Sequence, residues 1–299
     1  FFSSFSYSSY QYETMLDELD DAWSFVFLSE DKILYTEMPG ALKVASLDDK
    51  SIVEVKNVPV VQYVSQGGLS EVILDPNFIE NNKIYLSYSA KNSNNKSTLF
   101  LMSAELIGNE LKNNKVIFEA NAPRRTAVHL GAKIAFMKDG TLLLTSGDGF
   151  DHREKAQKLD NHFGKIIRIN SDGSIPIDNP FVGVKGALED IYSYGHRNMQ
   201  GLVALSSGAI YEHEHGPRGG DEINLIEVSK IDNNKILNYG WPISSYGEHG
   251  NSNGNYIGVT DEEKLKKKYE KYPFYKSHSK FGFIEPLKAY VPSIGISEI

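Results

Sequence analysis

The sequence contains no cysteine in its 299 residues. That excludes disulfide staples and thiolate metal sites, and it is neutral about compartment, because exported proteins need not carry disulfides. No apolar run approaches the ~18 residues a membrane-spanning helix needs, so no membrane span is expected. Positive charge is also scarce: 31 Lys and Arg stand against 39 Asp and Glu, a net charge of −8. No basic cluster alternates with aromatic residues, which argues against a nucleic-acid partner. The densest basic run, Lys264 to Lys268, lies within an acidic-started stretch (261–271) that reads as one short solvated helix. The chain starts Phe1-Phe2-Ser3-Ser4 rather than with methionine. Residues 1–22 therefore read as an N-terminal segment, the remnant of a trimmed export signal.

Against those absences stands an ordinary globular balance, 40% hydrophobic and 23% charged. No linker divides residues 23–299, and large all-β folds of this size are commonly single domains. A pattern of polar turn followed by a short β-rich run recurs four times. Asp31-Lys32 precedes Ile33–Glu37, Asn82-Lys83 precedes Ile84–Tyr88, Asp139-Gly140 precedes Thr141–Thr145, and Ser207-Gly208 precedes Ala209–Tyr211. Taking Ile33, Ile84, Leu142 and Ile210 as equivalent gives steps of 51, 58 and 68 residues. Units of ~40–50 residues with several short strands each, lengthened by insertions, are the mark of a β-propeller. The first unit divides into strands near 24–28, 33–37, 41–46 and 51–56, which make one blade.

Candidate chemistry falls near the boundaries of these units. Gln66-Gly67-Gly68 precedes the second, His129-Leu130-Gly131 opens the third, and Gly147-Asp148-Gly149 ends a strand of the third. The fourth carries Gly195-His196-Arg197-Asn198 and the charged run Glu212 to Glu222. Glycine-rich charged turns give nothing to a core, so they suit either chemistry or a solvated loop. His129 is the best general-base candidate, since an imidazole titrates near working pH. Asp148 can orient it, and Arg197 with Asn198 offers donors for an oxyanion. The Glu212–Glu222 run admits two metal readings. His213 and His215 on one strand face would suit zinc or copper; carbonyls at Gly216-Pro217 with Asp221 or Glu222 nearby would suit calcium.

Taken in order, these motifs resemble the soluble pyrroloquinoline-quinone (PQQ) sugar dehydrogenases of the glucose/sorbosone dehydrogenase family, and most closely its aldose sugar dehydrogenase branch. The resemblance is carried by Gln66–Leu69, His129 with Gly131, Asp139-Gly140-Thr141, Thr145–Asp148, Leu159 to Asn179, Tyr194–Asn198, Glu212–Glu222, Asn238–Pro242 and Val291–Ile294. It implies an all-β, six-bladed propeller that holds PQQ and calcium at its axis and oxidises the anomeric carbon of aldoses to lactones. Residue by residue, it implies His129 as base, Asp148 polarising it, and Arg197 holding the quinone and the charge it develops. Gln66, Asn198 and Ser293 would contact cofactor or sugar. The carbonyls of Gly216 and Pro217 would bind the cofactor's calcium, and Glu222 with Tyr239 a second, structural calcium. A separate electron acceptor, a periplasmic or secreted location and a monomer or homodimer follow from the same resemblance.

Two departures stand out. Met199 occupies a position where the family pattern has proline. Family members also continue beyond the Val291–Ile294 motif, so about four to five of six blades are expected in this chain. The alternatives are a non-catalytic binding propeller and a calcium-dependent lactonase on a similar scaffold. The lactonase would need a converging set of acidic and asparagine ligands, which the sequence does not show.

Overall fold

The computed structural model describes residues 12–226, 237–247 and 276–297. They form four consecutive four-stranded antiparallel sheets, the blades of an all-β propeller. Blade 1 comprises β1 (Ala22–Ser29), β2 (Lys32–Glu37), β3 (Ala41–Ser46) and β4 (Ile52–Glu54). Blade 2 comprises β5 (Leu69–Leu74), β6 (Lys83–Lys91), β7 (Ser97–Ile107) and β8 (Glu110–Glu119). Blade 3 comprises β9 (Gly131–Phe136), β10 (Leu142–Ser146), β11 (Lys165–Ile169) and β12 (Ile191–Tyr194). Blade 4 comprises β13 (Met199–Ala204), β14 (Ile210–Glu214), β15 (Asp221–Ile226) and β16 (Lys288–Tyr290). The residues equated from the repeat, Ile33, Ile84, Leu142 and Ile210, all lie in second strands. Successive first strands contact one another, β1 with β5, β5 with β9 and β9 with β13, so they line the inner side of the arrangement.

Turn chemistry explains the hairpins. Between β9 and β10, Asp139 Oδ1 accepts from Thr141 N at 3.0 Å and Gly140 takes a φ of +83°, which L-residues enter at a cost. Arg168 on β11 then reaches across to Asp139 at 2.7 Å and to Thr141 Oγ1 at 3.0 Å, tying that hairpin to the next strand.

Strands of blades 2 and 3, which pack on a neighbour at both faces, read as continuous apolar runs, whereas β1 of blade 1 alternates and leaves Phe25 and Phe27 exposed. Leu142 and Leu144 join a core with Leu99, Leu101 and Tyr85 of blade 2, whereas Leu143 between them joins Met199, Leu202 and Ile210 of blade 4. A third core packs Leu34 and Leu42 of blade 1 on Leu69, Ile84 and Leu86 of blade 2.

The described residues form four blades rather than six, within the four to five expected for this chain. Residues 288–290 complete blade 4, with Tyr290 paired to Asp221. The helix expected over 261–271 lies outside the described residues. Elsewhere helix is confined to α1 (Phe78–Asn81) and two 3-10 turns among the described residues, and no described helix is long and apolar enough to cross a membrane.

Candidate active site

The site follows from hairpin geometry. Gly131 pairs with Ser146 across β9 and β10. His129, just before β9, and Asp148, just after β10, therefore emerge at the same rim although 19 positions apart. Blade 4 repeats the arrangement. Met199 pairs with Glu214 across β13 and β14, so Arg197-Asn198 and His215-Gly216 share that rim. Gln66, ahead of β5, joins them. The result is a cavity of about 480 Å³ lined by Trp23, Met38, Gln66, His129, Arg197, Asn198, Gln200 and His215, among others, a volume typical of small-molecule sites.

His129 is 7% exposed and sits at φ +44°, in the left-handed region. Its backbone is held from both sides. Its N–H donates to Gln66 Oε1 at 2.8 Å, and its carbonyl accepts from Arg124 Nη1 at 3.1 Å. A register shift between Leu144 and Ser146 marks a bulge beside it, a device that re-aims side chains at sites. The ring Nδ1 lies 2.7 Å from Asp148 Oδ1. Asp148 Oδ1 also accepts from Phe150 N at 2.8 Å, and its Oδ2 from Trp241 Nε1 at 2.7 Å.

Burial pushes the Asp148 carboxyl up, but the His129 charge and hydrogen bond, with Arg197, outweigh it and hold the group below its ordinary range. Burial pulls the His129 imidazole down, against the opposing pull of Asp148. An ionised carboxylate can only accept, so Nδ1 carries the proton of the neutral ring. Nε2 is left with a lone pair able to take a proton.

Arg197 is fixed in the same rim. Its carbonyl accepts from Asp148 N at 2.8 Å, its N–H donates to Glu214 Oε2 at 2.6 Å, and its Nη1 donates to His215 O at 2.8 Å. Its guanidinium stands 5.3 Å from the Trp241 ring, within cation–π range. Asn198, also on the cavity wall, accepts from Gln200 Nε2 at 3.0 Å.

The Gly216–Glu222 turn is organised by Asp221. Its Oδ1 accepts from Gly216 N at 3.0 Å; its Oδ2 accepts from Ser293 Oγ at 2.5 Å, Ile294 N at 3.1 Å and Gly295 N at 2.9 Å. Asp221 thus locks two loops together rather than standing open as a metal ligand. A Cβ on Gly216 would meet the carbonyl oxygens of Gly219 and Gly220 at 2.3 and 2.2 Å, so this turn gathers main-chain oxygens at close range.

Beside it lies a void of about 10 Å³, lined by Glu214, Gly216, Gly220, Glu222, Tyr239 and Ser244 among others, room for one water or ion. Burial pushes both the Glu214 and Glu222 carboxyls up, and each has another buried carboxylate against it.

The structure therefore brings His129, Arg197, Asn198 and Gln66 to one cavity, with Asp148 buried behind His129, and Glu222 and Tyr239 to one void. The Tyr239 hydroxyl donates to Leu225 O at 2.9 Å. Ser293 does not line the cavity; its hydroxyl is directed to Asp221. His213 and His215 do not form a metal site. His213 lies buried in β14 with its ring against Gly201, while His215 follows the strand and faces the cavity. Sequence reasoning missed Arg124 and the two tryptophans. Only two occur in the chain, and both are here, Trp23 on the cavity wall and Trp241 on Asp148. Trp241's place in the Asn238–Pro242 motif was the one signal available.

Comparison with known proteins agrees with this geometry. A family profile described as glucose/sorbosone dehydrogenase matches residues 19–299. The aldose sugar dehydrogenase of Escherichia coli is 34% identical over 239 residues, 79% of this chain and 62% of that relative, so the chain spans less than two thirds of that protein's length. The crystal structure of the soluble aldose sugar dehydrogenase from Escherichia coli in its apo form superposes with a TM-score of 0.81 at 30% identity, covering 96% of this chain and 76% of the other. The PQQ-bound aldose sugar dehydrogenase from Streptomyces coelicolor superposes with a TM-score of 0.63 at 25% identity, covering 80% and 67%.

Proposed function

The chain belongs to the glucose/sorbosone dehydrogenase family, and on that premise we propose that it oxidises the anomeric carbon of aldose sugars to lactones with PQQ and calcium. The observation that carries the proposal is His129, on the wall of a cavity that also presents Arg197 and Asn198, backed by the buried Asp148 at 2.7 Å.

The residues fit the implied groups. The cavity of about 480 Å³ has room for a planar cofactor beside a sugar. Arg197 and Asn198 provide a fixed cationic fork and a neutral amide for negative charge on a quinone. The carbonyl-rich turn at Gly216-Pro217 offers the hard oxygen donors that calcium prefers. The void at Glu222 and Tyr239 holds buried carboxylates whose mutual repulsion a second calcium would relieve.

When bound, PQQ supplies the two-electron acceptor for hydride from the sugar, its carbonyl polarised by calcium. This chain's own work is to position and to move a proton. Gln66 and Arg124 fix the His129 backbone, and Asp148 keeps its Nδ1 protonated and its ring turned. His129 Nε2 takes the proton from the anomeric hydroxyl as hydride leaves the same carbon, so the C–O single bond becomes the lactone carbonyl. Arg197 stabilises the charge that accumulates opposite it. Electrons then pass to a separate acceptor, as suits a periplasmic or secreted enzyme.

The test is reconstitution of the purified protein with calcium and PQQ, followed by dye reduction over a panel of aldoses. Sugar-dependent reduction that is lost in His129→Ala is expected. Tight PQQ binding without turnover would instead identify a binding propeller, and no reduction with any aldose, wild type matching His129→Ala, would end the proposal.

A further inference from the structure

On the blade 4 side of Arg197, groups from three strands converge away from the cavity. His196 follows β12, Glu212 and Glu214 share one face of β14, and Asn224 on β15 stands opposite Glu212. His196 Nδ1 lies 3.5 Å from a carboxylate oxygen of Glu212 and 3.8 Å from one of Glu214. The candidate ligand atoms of these three residues lie within 4.8 Å of one another. The imidazole is oriented by its other nitrogen, Nε2, 2.8 Å from Ser193 Oγ, and by stacking on Tyr239 at 4.5 Å.

Three polar atoms here lack a hydrogen-bond partner: His196 Nδ1, Glu212 Oε2 and Asn224 Oδ1. Each belongs to a residue with 0% exposure. Asn224 donates its amide to Glu212 Oε1 at 2.7 Å, which leaves its carbonyl oxygen as a further unused acceptor. Native interiors rarely leave such atoms unsatisfied, and one orphan normally has a specific cause. Here there are three, on residues packed side by side, and His196 Nδ1 is the one that faces both carboxylates.

What would satisfy them is constrained by chemistry. The atoms that face one another are His196 Nδ1, Glu212 Oε1 and Glu214 Oε2, and carboxylate oxygens and an unprotonated imidazole nitrogen are all acceptors. A shared proton can serve only one pair of them, whereas a cation serves all of them. An imidazole among the ligands favours a borderline transition metal over calcium, which takes oxygen alone. The spacings of 3.5 and 3.8 Å are near the edge of a tetrahedral shell with bonds of about 2.1 Å.

We propose that His196, Glu212 and Glu214 form a structural site for a divalent transition cation of the zinc and manganese class, next to the Glu222 void, whose wall Glu214 shares, and distinct from it in its imidazole ligand. The ion ties the loop after β12 to β14. That loop carries Arg197, whose N–H already rests on Glu214 Oε2 at 2.6 Å. The site therefore fixes the cavity's cationic wall from behind, without touching cavity or ligand.

The experiment strips the purified protein with chelator, saturates it with calcium and titrates it with Mn²⁺. Bound metal is measured by elemental analysis and by pulsed electron paramagnetic resonance. One tightly held Mn²⁺ per chain is expected beyond the calcium complement, displaced by Zn²⁺, with nitrogen coupling from a single imidazole. Glu212→Gln should weaken Mn²⁺ binding by about 100-fold or more, with calcium stoichiometry unchanged. Glu222→Gln should keep the manganese. If Glu212→Gln does not fold, the nitrogen coupling in the unaltered protein decides. No Mn²⁺ uptake in the calcium-saturated protein, uptake without nitrogen coupling, or a folded Glu212→Gln protein that binds Mn²⁺ as tightly as wild type would each overturn the site.

Discussion

His129 occupies a backbone conformation, φ +44°, that an L-residue keeps only when its surroundings enforce it. The enforcement comes from Gln66, Arg124 and Asp148, and two of its electrostatic neighbours pull its imidazole in opposite directions. Burial and Arg197 lower its pKa while Asp148 raises it, and the net displacement is downward. The neutral, proton-accepting form therefore persists to lower pH than for a free imidazole. The acid limb of kcat/KM is expected below the unperturbed value of about 6.5. Asp148→Asn removes a raising influence, so the limb moves lower still, and kcat falls by about 10²–10⁴-fold as the ring loses its orientation. Arg197→Met removes a lowering influence, and the limb on its residual activity moves up. Measuring pH profiles of the two variants side by side checks the signs; displacement of both limbs in one direction would contradict the assignment. Trp241→Phe deletes a donor to the buried, ionised Asp148, with an expected loss of about 1–3 kcal/mol of stability in denaturant melts. His129, Asp148 and Arg197 were legible in sequence because their residue types announce chemistry. Arg124 and Trp241 were not, because their role is created by contacts; Trp241 meets Asp148 from 93 positions away.

At the scale of elements, the hairpin does the organising. A base before β9 and a carboxylate after β10 must share a rim once the strands pair, and the same logic seats Arg197 with His215 on blade 4. Gly147 shows how closely that rim is drawn together. A Cβ there would meet His129 O at 2.2 Å and Arg197 O at 3.1 Å, main-chain atoms that cannot swing aside. Gly147→Ala is expected to destabilise the protein by about 1–3 kcal/mol through overpacking. Activity should fall more than that loss explains, because the clash falls on the base and the cation together. Thermal melts run alongside sugar turnover check this. The four strands of blade 1 and the second strands of blades 2 to 4 were readable from turn chemistry, Asp139-Gly140 being an example, since those residues fix the backbone locally. β16 was not readable, because Lys288–Tyr290 joins β15 across an insertion that breaks the repeat, and nothing local in three residues names the partner.

For the whole molecule, the interfaces between blades supply the apolar core and the rim supplies the electrostatic strain. Leu142, Leu143 and Leu144 face alternately into two different interfaces, so each blade is stabilised by its neighbours. The rim, by contrast, holds Glu214 and Glu222 buried against each other, which burial and repulsion both disfavour in ionised form. An ion that binds the folded chain and not the unfolded one stabilises by mass action, about 2.7 kcal/mol at 100 times its dissociation constant. Chelation should therefore lower the melting temperature, and calcium should restore it in proportion to the logarithm of its concentration. Glu222→Gln relieves part of the repulsion and removes a ligand, so its chelated form should melt no lower than chelated wild type while its gain from calcium shrinks. Scanning calorimetry over a calcium series distinguishes this from a general salt effect, since sodium at equal ionic strength should leave both proteins unchanged. An equal calcium response in wild type and Glu222→Gln would remove Glu222 from the proposed calcium site.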